Sequence, residues 1–478
     1  MRRTHSTYPS LLAATPASVR RLLCLAALVG FVAFQWPAAG LAQGITIPFS
    51  PPSEGTPTPS QPTPPPSQTA PPSPTPAPSP TQPLPPQTAP SPPGGAVQVA
   101  VTGDPAPVDT LRLGIETAVR EVVPEARTAQ VTLVSATPAL APLDPSGGAT
   151  VQATVQVVSP ARAPQLVTVP VAVTNVAAQW PDAQVLLVSN SPESLPFGKV
   201  LYNASLGNGQ TARLLYHHQN GSKTSRMTIE VALSNPARSP ITLWVNGASG
   251  GPASDELLIG HAAAYRFLGQ YATHAGFLMQ IPANTTVPLL LHDLPPLGVV
   301  SGIVQLSLVT GDRLNLQVVA RLAGEMDPPT DSFIPDFDNV HQRGAFANPY
   351  IDRQVTFVAG GSPVIMTLGD DRDLMREGAT GERLQGNYGV IYTFEIHASN
   401  PTSERVVASL VMHADGGQAR GTFIVDNRLI NGPAVEPNAP KTVATIALMP
   451  GESRIVRITT MPESGSNYPV HLVLGPPP

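Results

Sequence analysis

The alternation of apolar and polar positions begins only after a long aperiodic stretch. The run "AVQVAVTG" alternates as a half-buried strand does, whereas "DTLRLGIETAVREVV" (109–123) repeats its apolar positions at helical spacing. Asp109 predicts the N-cap of this helix, and Pro124 predicts its end. Three more alternating runs follow along the chain. We therefore expect a small α+β domain over residues 96–178.

Beyond Trp180 the chain consists mostly of short alternating runs separated by Gly, Pro, Asn and Ser. This pattern is typical of antiparallel β-sandwiches. One stretch, "EVALSNP" (230–236), recurs as "EIHASNP" (395–401). Further matching pairs are 197–206 with 342–351 and 281–296 with 449–464. An internal duplication accounts for the recurrence.

The duplication sets the predicted domain boundaries. We expect a mainly β chain with two tandem Ig-like β-sandwich domains, preceded by the small α+β domain and a disordered Pro-rich linker. The predicted segments are a signal peptide (1–42), a Pro-rich disordered stalk (43–95), the α+β domain (96–178), β-sandwich 1 with a helical insertion (179–324), a linker (325–340) and β-sandwich 2 (341–478).

The two copies differ by what is inserted between their strands. The first carries an amphipathic helix within 252–271, with Ser254 as its predicted N-cap. The residues predicted to share its apolar face are Leu257, Leu258, His261, Ala262, Tyr265 and Leu268. The second carries a polar loop (369–389), and loops on a rigid sandwich often carry binding. We therefore expect ligand contacts, if any, from His261, Tyr265, Arg372, Asp373, Asn387 and Tyr388.

The N-terminal region has the pattern of an export signal. Two arginines precede an apolar run from Leu22 to Phe34, and Gly40 and Ala42 mark a cleavage site. The run is short for a membrane span, although an uncleaved anchor is the alternative. The segment that follows is dominated by Pro, Ser, Thr and Gln, a composition that favours extended polyproline II and a stalk or plain linker.

Charge and cysteine content narrow the classes of function. Loss of the four arginines of the signal segment changes the formal charge from −5 to −9. An acidic chain argues against nucleic acid or an anionic membrane as a partner. The single cysteine, Cys24, lies in the apolar run, so a chain cut after Ala42 has neither disulfides nor thiolate ligands.

Two short motifs suggest catalysis but are better explained by structure. The segment "GASGG" (247–251) fits the G-x-S-x-G pattern around Ser249. Pro252 interrupts the helix that should follow the serine, and the second copy has "ADGG", so we expect a glycine turn. In "YHHQN" (216–220), His217 and His218 are adjacent on a strand and therefore face opposite sides. A metal site would need a further histidine, from His261, His274 and His292, brought close by folding.

The segment between the two copies is rich in aspartate. "DPPTDSFIPDFDN" (327–339) spaces four carboxylates along the linker. Such linkers can bind calcium, but the EF-hand spacing is missing and three prolines interrupt the segment. We expect a solvated linker, with no metal and no cofactor.

The cadence "SNP … PGES … SNYPV" resembles that of secreted bacterial proteins with Ig-like β-sandwich modules. The order "VLLVSNSPESL … GKVLY … RLLYHHQN … GHAAAYRFL … VSGIVQL" resembles a largely uncharacterised group of these proteins. The resemblance covers about residues 180–475 and carries over no catalytic residue.

These observations favour a secreted or cell-surface, non-enzymatic structural or interaction protein that displays its sandwiches on the stalk. The expected partner is a protein or a cell-wall glycan, with no nucleic acid and no membrane contact beyond the export signal. The alternative is an extracellular carbohydrate- or ligand-binding accessory protein. A hydrolase using Ser249 is the third hypothesis.

Overall fold

The computed structural model describes residues 95–123, 129–158, 163–176, 178, 181–195, 198–322, 325 and 341–477. Strands make up most of these residues, and the prediction of a mainly β chain is confirmed. The predicted signal peptide, almost all of the predicted stalk and nearly all of the Asp-rich linker lie outside the described residues.

The first part of the chain contains both helices of the described residues. Its elements are β1 (Val97–Thr102), α1 (Val108–Val122), β2 (Gln130–Thr137), β3 (Gly148–Val158), β4 (Gln165–Asn175), β5 (Val185–Ser189), β6 (Ser194–Leu195), β7 (Lys199–Gly207), β8 (Thr211–Asn220), β9 (Met227–Asn235), β10 (Ile241–Ala253), α2 (Glu256–Ala272), β11 (Gly276–Ile281), β12 (Thr285–Leu294), β13 (Val299–Thr310) and β14 (Arg313–Leu322).

The second part consists of strands and one short 3₁₀ turn at Gln385–Asn387. Its strands are β15 (Arg343–Ala347), β16 (Tyr350–Val358), β17 (Val364–Leu368), β18 (Ile391–Ser399), β19 (Val406–Ala414), β20 (Thr422–Val425), β21 (Arg428–Asn431), β22 (Lys441–Leu448), β23 (Ser453–Thr460) and β24 (Val470–Gly475).

The strands form four sheets. The largest has the order β15-β5-β8-β13-β10-β11-β1-β4-β3-β2, with β6 beside β8. Strand β1 pairs with β11, so the segment predicted as an α+β domain shares one continuous sheet with the strands that follow it. Strand β15, from the part after the linker, pairs with β5 in the same sheet. The smaller sheets are β12-β9-β14-β7, β16-β18-β23-β20-β21 and β17-β24-β19-β22.

The large sheet contributes to two hydrophobic cores. One face packs against the β12-β9-β14-β7 sheet, and the other packs against α2 and the second part of the chain. Strands β8, β13 and β10 are therefore covered on both sides over most of their length. Such strands carry near-continuous apolar runs rather than strict alternation.

The pairing order supports the duplication. The order β8-β13-β10-β11 recurs as β17-β24-β19-β22, and β9 pairs with β12 as β18 pairs with β23. The predicted match of 197–206 with 342–351 is wrong, because β7 pairs with β14 in a small sheet whereas β15 pairs with β5 in the large one. Both segments have a glycine followed by an alternating strand. This shared pattern does not determine which sheet the strand joins.

Both helices begin close to the predicted positions but with different caps. Pro107 precedes α1 and offers no side-chain hydrogen bond, so Asp109 lies in the first turn and is not the N-cap. For α2 the N-cap is Asp255, whose side chain accepts a hydrogen bond from Leu258 N at 3.0 Å, and not Ser254. Among the described residues, no helix is both long enough and apolar enough to span a membrane.

The recurring Asn-Pro turn has a specific hydrogen-bonding function. Asn235 Nδ2 donates to Ser239 O at 2.8 Å and to the carbonyls of Ile281 and Pro282. Asn400 Nδ2 makes the same set, to the carbonyls of Glu404, Leu448 and Met449. A third asparagine, Asn220, repeats it with Ser225, Leu294 and Pro295. Each buried amide ties the end of its strand to the end of another strand.

Replacing Asn400 with alanine should therefore destabilise the fold by about 2 kcal/mol, because three carbonyls, including that of the buried Leu448, lose their donor. Thermal or urea unfolding of the purified chain measures the effect. The control is Asn467→Ala, since Asn467 is exposed and donates only to Gln418 O. Equal losses of stability in the two variants would show that the Asn400 amide does not hold the two strand ends together.

Candidate functional site

The candidate site is the face of strands β8, β13 and β10 that lies beneath helix α2. On this face the row Leu215–Ile303–Ala248 meets the apolar side of the helix, around Phe267 and Leu268. Residues two positions away along each strand share the face. One flanking row is thus Arg213–Gln305–Asn246, and the other is His217–Ser301–Gly250.

Arg213 connects this face to the second part of the chain. Its side chain is 0% exposed. Nη1 donates to Gly389 O at 2.9 Å, and Nη2 donates to the Tyr350 hydroxyl at 2.8 Å and to Gln305 Oε1 at 3.2 Å. The guanidinium also lies 5.4 Å from the ring centroid of Phe267 on α2. This side chain is therefore a buried polar link between β8, α2 and the strands that follow residue 340.

The row containing His217 brings titratable groups together at the N-terminus of α2. Ligand atoms of His217, of Glu193 just before β6 and of Glu256 in the first turn of α2 all lie within 4.8 Å of one another. His217 Nε2 is 3.3 Å from Glu193 Oε1. The other carboxylate oxygen of Glu193 forms an ion pair with His341 Nε2. Burial raises the pKa of Glu193, but the imidazoles of His217, His341 and His218 lower it overall, so the carboxylate form is favoured.

On its other side, α2 packs against the second part of the chain through His261. The imidazole Nδ1 lies 2.8 Å from Glu463 Oε2, and Nε2 lies 2.8 Å from Asn431 Oδ1. Because Asn431 Oδ1 also accepts from Arg420 Nη2, His261 Nε2 must be the donor to that oxygen. Nδ1 faces the Glu463 carboxyl group, which is 1% exposed. The sequence pattern predicts His261 on the apolar face of the helix, whereas in the structure its ring contacts polar groups of the second part of the chain.

The other residues predicted to bind a ligand fall into two groups. Arg372 and Asp373 lie at an exposed groove of about 300 Å³, where Asp373 contacts Arg353 Nη2 at 2.6 Å and Arg372 pairs with Asp370. Asn387 is buried instead: its amide donates to Asp373 O and to the Tyr392 hydroxyl. The structure therefore brings Arg372 and Asp373 together at a surface and leaves Asn387 as a loop support.

The two predicted tyrosines lie apart from that groove's charged wall. Tyr388 donates to Ser466 O at 2.7 Å, packs edge-on against Tyr468 and lines a neighbouring hollow of about 500 Å³. Tyr265 lies on α2 with its ring centroid 6.1 Å from that of His261. Neither ring joins Arg372 and Asp373 in a single site.

The predicted catalytic alternative at Ser249 has a regular strand environment. Ser249 pairs with Gly302 inside β10, which continues to Ala253, and its carbonyl accepts from Arg266. A nucleophile elbow requires a sharp strand-to-helix turn at the serine itself.

His292, one of the histidines considered for a metal site, is hydrogen-bonded to the Tyr216 hydroxyl at 2.7 Å, and burial lowers the pKa of His292 to about 4.

Sequence reasoning missed a buried Ser–His pair. Ser189 Oγ lies 2.9 Å from His218 Nε2, and His218 Nδ1 lies 2.9 Å from Pro192 O. Because a carbonyl only accepts, Nδ1 donates and Nε2 accepts from the serine. Burial lowers the pKa of His218 to about 3, so the ring is neutral. Both side chains are 0% exposed, which places the pair in the core, away from any substrate.

No family model and no curated protein matches the chain. The solved structures that are similar include tripeptidyl peptidase 2 (TM-score 0.16, 9% identity, 69% of this chain and 26% of that chain). Others are Lac15 from a marine microbial metagenome (0.11, 11%, 64% and 66%) and Fet3p, a multicopper oxidase that functions in iron import (0.10, 8%, 61% and 64%). TM-scores this low carry no information about the chain's activity.

Proposed function

We propose that this chain is a secreted or cell-surface, non-enzymatic structural or interaction protein that carries tandem Ig-like β-sandwich modules on a Pro-rich stalk. One observation supports this proposal above the others. Buried polar contacts through Arg213 and through the His261–Glu463 pair hold the two parts of the chain together. A rigid support of this kind is suited to presenting a polar loop to a partner.

The presented surface is the loop that begins at Gly369. Arg372 is 80% exposed, and Arg353 and Asp373 form the adjoining wall of the groove. Opposite charges that face solvent at a groove recognise partners through charge-assisted hydrogen bonds. A protein or a cell-wall glycan with hydroxyl and charged groups fits this surface.

A carbohydrate-binding accessory role is the second candidate, and a second hollow favours it. Arg353 and Gln354 line both the groove and this neighbouring hollow, which Tyr271 also lines together with Thr393 and Glu395. A tyrosine ring beside several hydrogen-bonding groups suits a sugar, whose apolar face packs on the ring while its hydroxyls bond to the polar groups.

Binding of the full chain to cell-wall fragments and to a glycan array tests both candidates. We expect Arg372→Ala and Asp373→Ala to weaken binding by about tenfold or more, because central charged contacts dominate recognition. The matched control is Arg238→Ala, an exposed arginine before β10. Binding that survives both loop variants would move the recognition surface elsewhere. Binding to wall protein without binding to glycans would favour the first candidate over the second.

A further inference from the structure

We propose that His217, Glu193 and Glu256 form a binding site for a divalent transition metal of the Zn²⁺ type, at the point where the N-terminus of α2 meets the large sheet. The three residues come from separate elements: β8, the segment before β6, and the first turn of α2. A metal ion would therefore connect strand, loop and helix at one point.

The spacing of the ligand atoms suits one ion. All three donor atoms lie within 4.8 Å of one another, and His217 Nε2 and Glu193 Oε1 are 3.3 Å apart. Zinc bonds of about 2.0–2.1 Å in a tetrahedron place neighbouring ligand atoms about 3.4 Å apart. One edge of the tetrahedron is thus already at its required length. Glu256, on the first turn of α2, supplies the third ligand atom within 4.8 Å of the other two.

A second observation comes from hydrogen bonding and not from the cluster itself. The His217 side chain is 3% exposed, its Nδ1 has no hydrogen-bond partner among the described residues, and its Nε2 approaches only Glu193 Oε1, at 3.3 Å. The hydroxyl of Ser301, directly opposite His217 on the same face, is also buried without a partner there. Buried polar groups are normally satisfied, and an absent ligand is one recognised reason when they are not.

The neighbours of the cluster also fit a metal site. His341 Nε2 contacts the second oxygen of Glu193, the kind of outer contact that orients a ligating carboxylate. Gly250 allows α2 to approach the sheet closely, because a side chain at this position would collide with the carbonyl of Ile259 on the helix. The N-terminus of α2 can therefore lie close to the row that contains His217.

The donor set indicates which metals can bind. One imidazole and two carboxylates favour Zn²⁺ and its neighbours over Mg²⁺ and Ca²⁺, which prefer oxygen ligands alone. Two carboxylates also neutralise the charge of a divalent ion in a half-buried position. A metal ion here would have a structural role, because the site lies beneath helix α2, which contacts both parts of the chain.

Zinc titration of the tag-free full chain tests the proposal. After EDTA treatment and dialysis, isothermal titration with ZnCl₂ should give one equivalent bound, and mass spectrometry of the metal content should agree. His217→Ala and Glu256→Gln should each weaken Zn²⁺ binding by more than about tenfold, since removal of even an outer partner has that effect. The matched control, His397→Gln, changes an exposed histidine on β18 and should bind as the wild type does.

Glu256→Gln decides the outcome if the His217 variant does not fold. The change keeps the shape of a partly exposed side chain, and circular dichroism checks that the variant is folded. Folded Glu256→Gln protein that binds Zn²⁺ as tightly as the wild type would overturn the proposal. So would a wild-type chain that binds no stoichiometric Zn²⁺, or equal loss of binding in His397→Gln.

Discussion

Replacing Arg213 with methionine should destabilise the folded chain by about 3 kcal/mol or more, since three acceptors lose this donor, two of them are buried, and each buried loss costs about 1–3 kcal/mol. Methionine retains most of the aliphatic volume, so the loss is mainly one of hydrogen bonds. The acceptors are Gly389 O, the Tyr350 hydroxyl and Gln305 Oε1. The cation–π contacts with Phe267 and Tyr350 are lost as well.

The location of the effect distinguishes this prediction from general destabilisation. Gly389 and Tyr350 belong to the part of the chain after the linker, so hydrogen exchange around them should increase first. Arg226→Met is the matched control. Its guanidinium pairs with Asp293 at the surface, and such pairs contribute no more than about 1 kcal/mol. Unfolding midpoints that fall equally in both variants would contradict the assigned role of Arg213.

The sequence pattern located strands and helices well, because local alternation and turn residues act over short distances. It misplaced the apolar face of α2. Leu258, assigned to that face, is 50% exposed, whereas Ile259 and Ala263 are buried. The helix is covered on two sides, by the sheet and by the loop that contains Ser464, so its buried positions do not form the single stripe that the prediction assumed.

The candidate site depended on information that the sequence does not display. His217, Ser301 and Gly250 lie in one row only because of the register between β8, β13 and β10. Glu193 and Glu256 reach this row from segments with no sequence relation to it. A usable signal was present in the long apolar runs of these strands, since a strand covered on both faces must place its polar residues against another element.

His261 on α2 is a second case in which the sequence predicts the position of a residue but not its partner. Its position on a helix was predictable, but its partner Glu463 comes from the loop after β23, and the contact needs the two parts of the chain to meet. Asn387 was chosen from a polar loop as a ligand residue, yet its amide is used internally. Composition identified the loop correctly as polar and did not separate exposed from buried members.

Gly260→Ala should separate α2 from the second part of the chain and destabilise the fold by about 3 kcal/mol, at the upper end of the usual cost of overpacking. A Cβ at Gly260 would collide with the backbone carbonyl oxygen of Ser464, which cannot rotate away as a side-chain atom can. The strain falls beside the His261–Glu463 pair, so hydrogen exchange should increase in the segment around Glu463.

The control for this change lies on the same helix. At Gly269 a Cβ meets only the Leu429 side chain at 3.2 Å, so Gly269→Ala should be neutral or stabilise by up to about 1 kcal/mol through helix propensity. Helix propensity acts in the same direction at both positions, and the difference between the variants therefore isolates the close approach of α2 to Ser464. Equal melting temperatures would mean that this approach does not hold the two parts together.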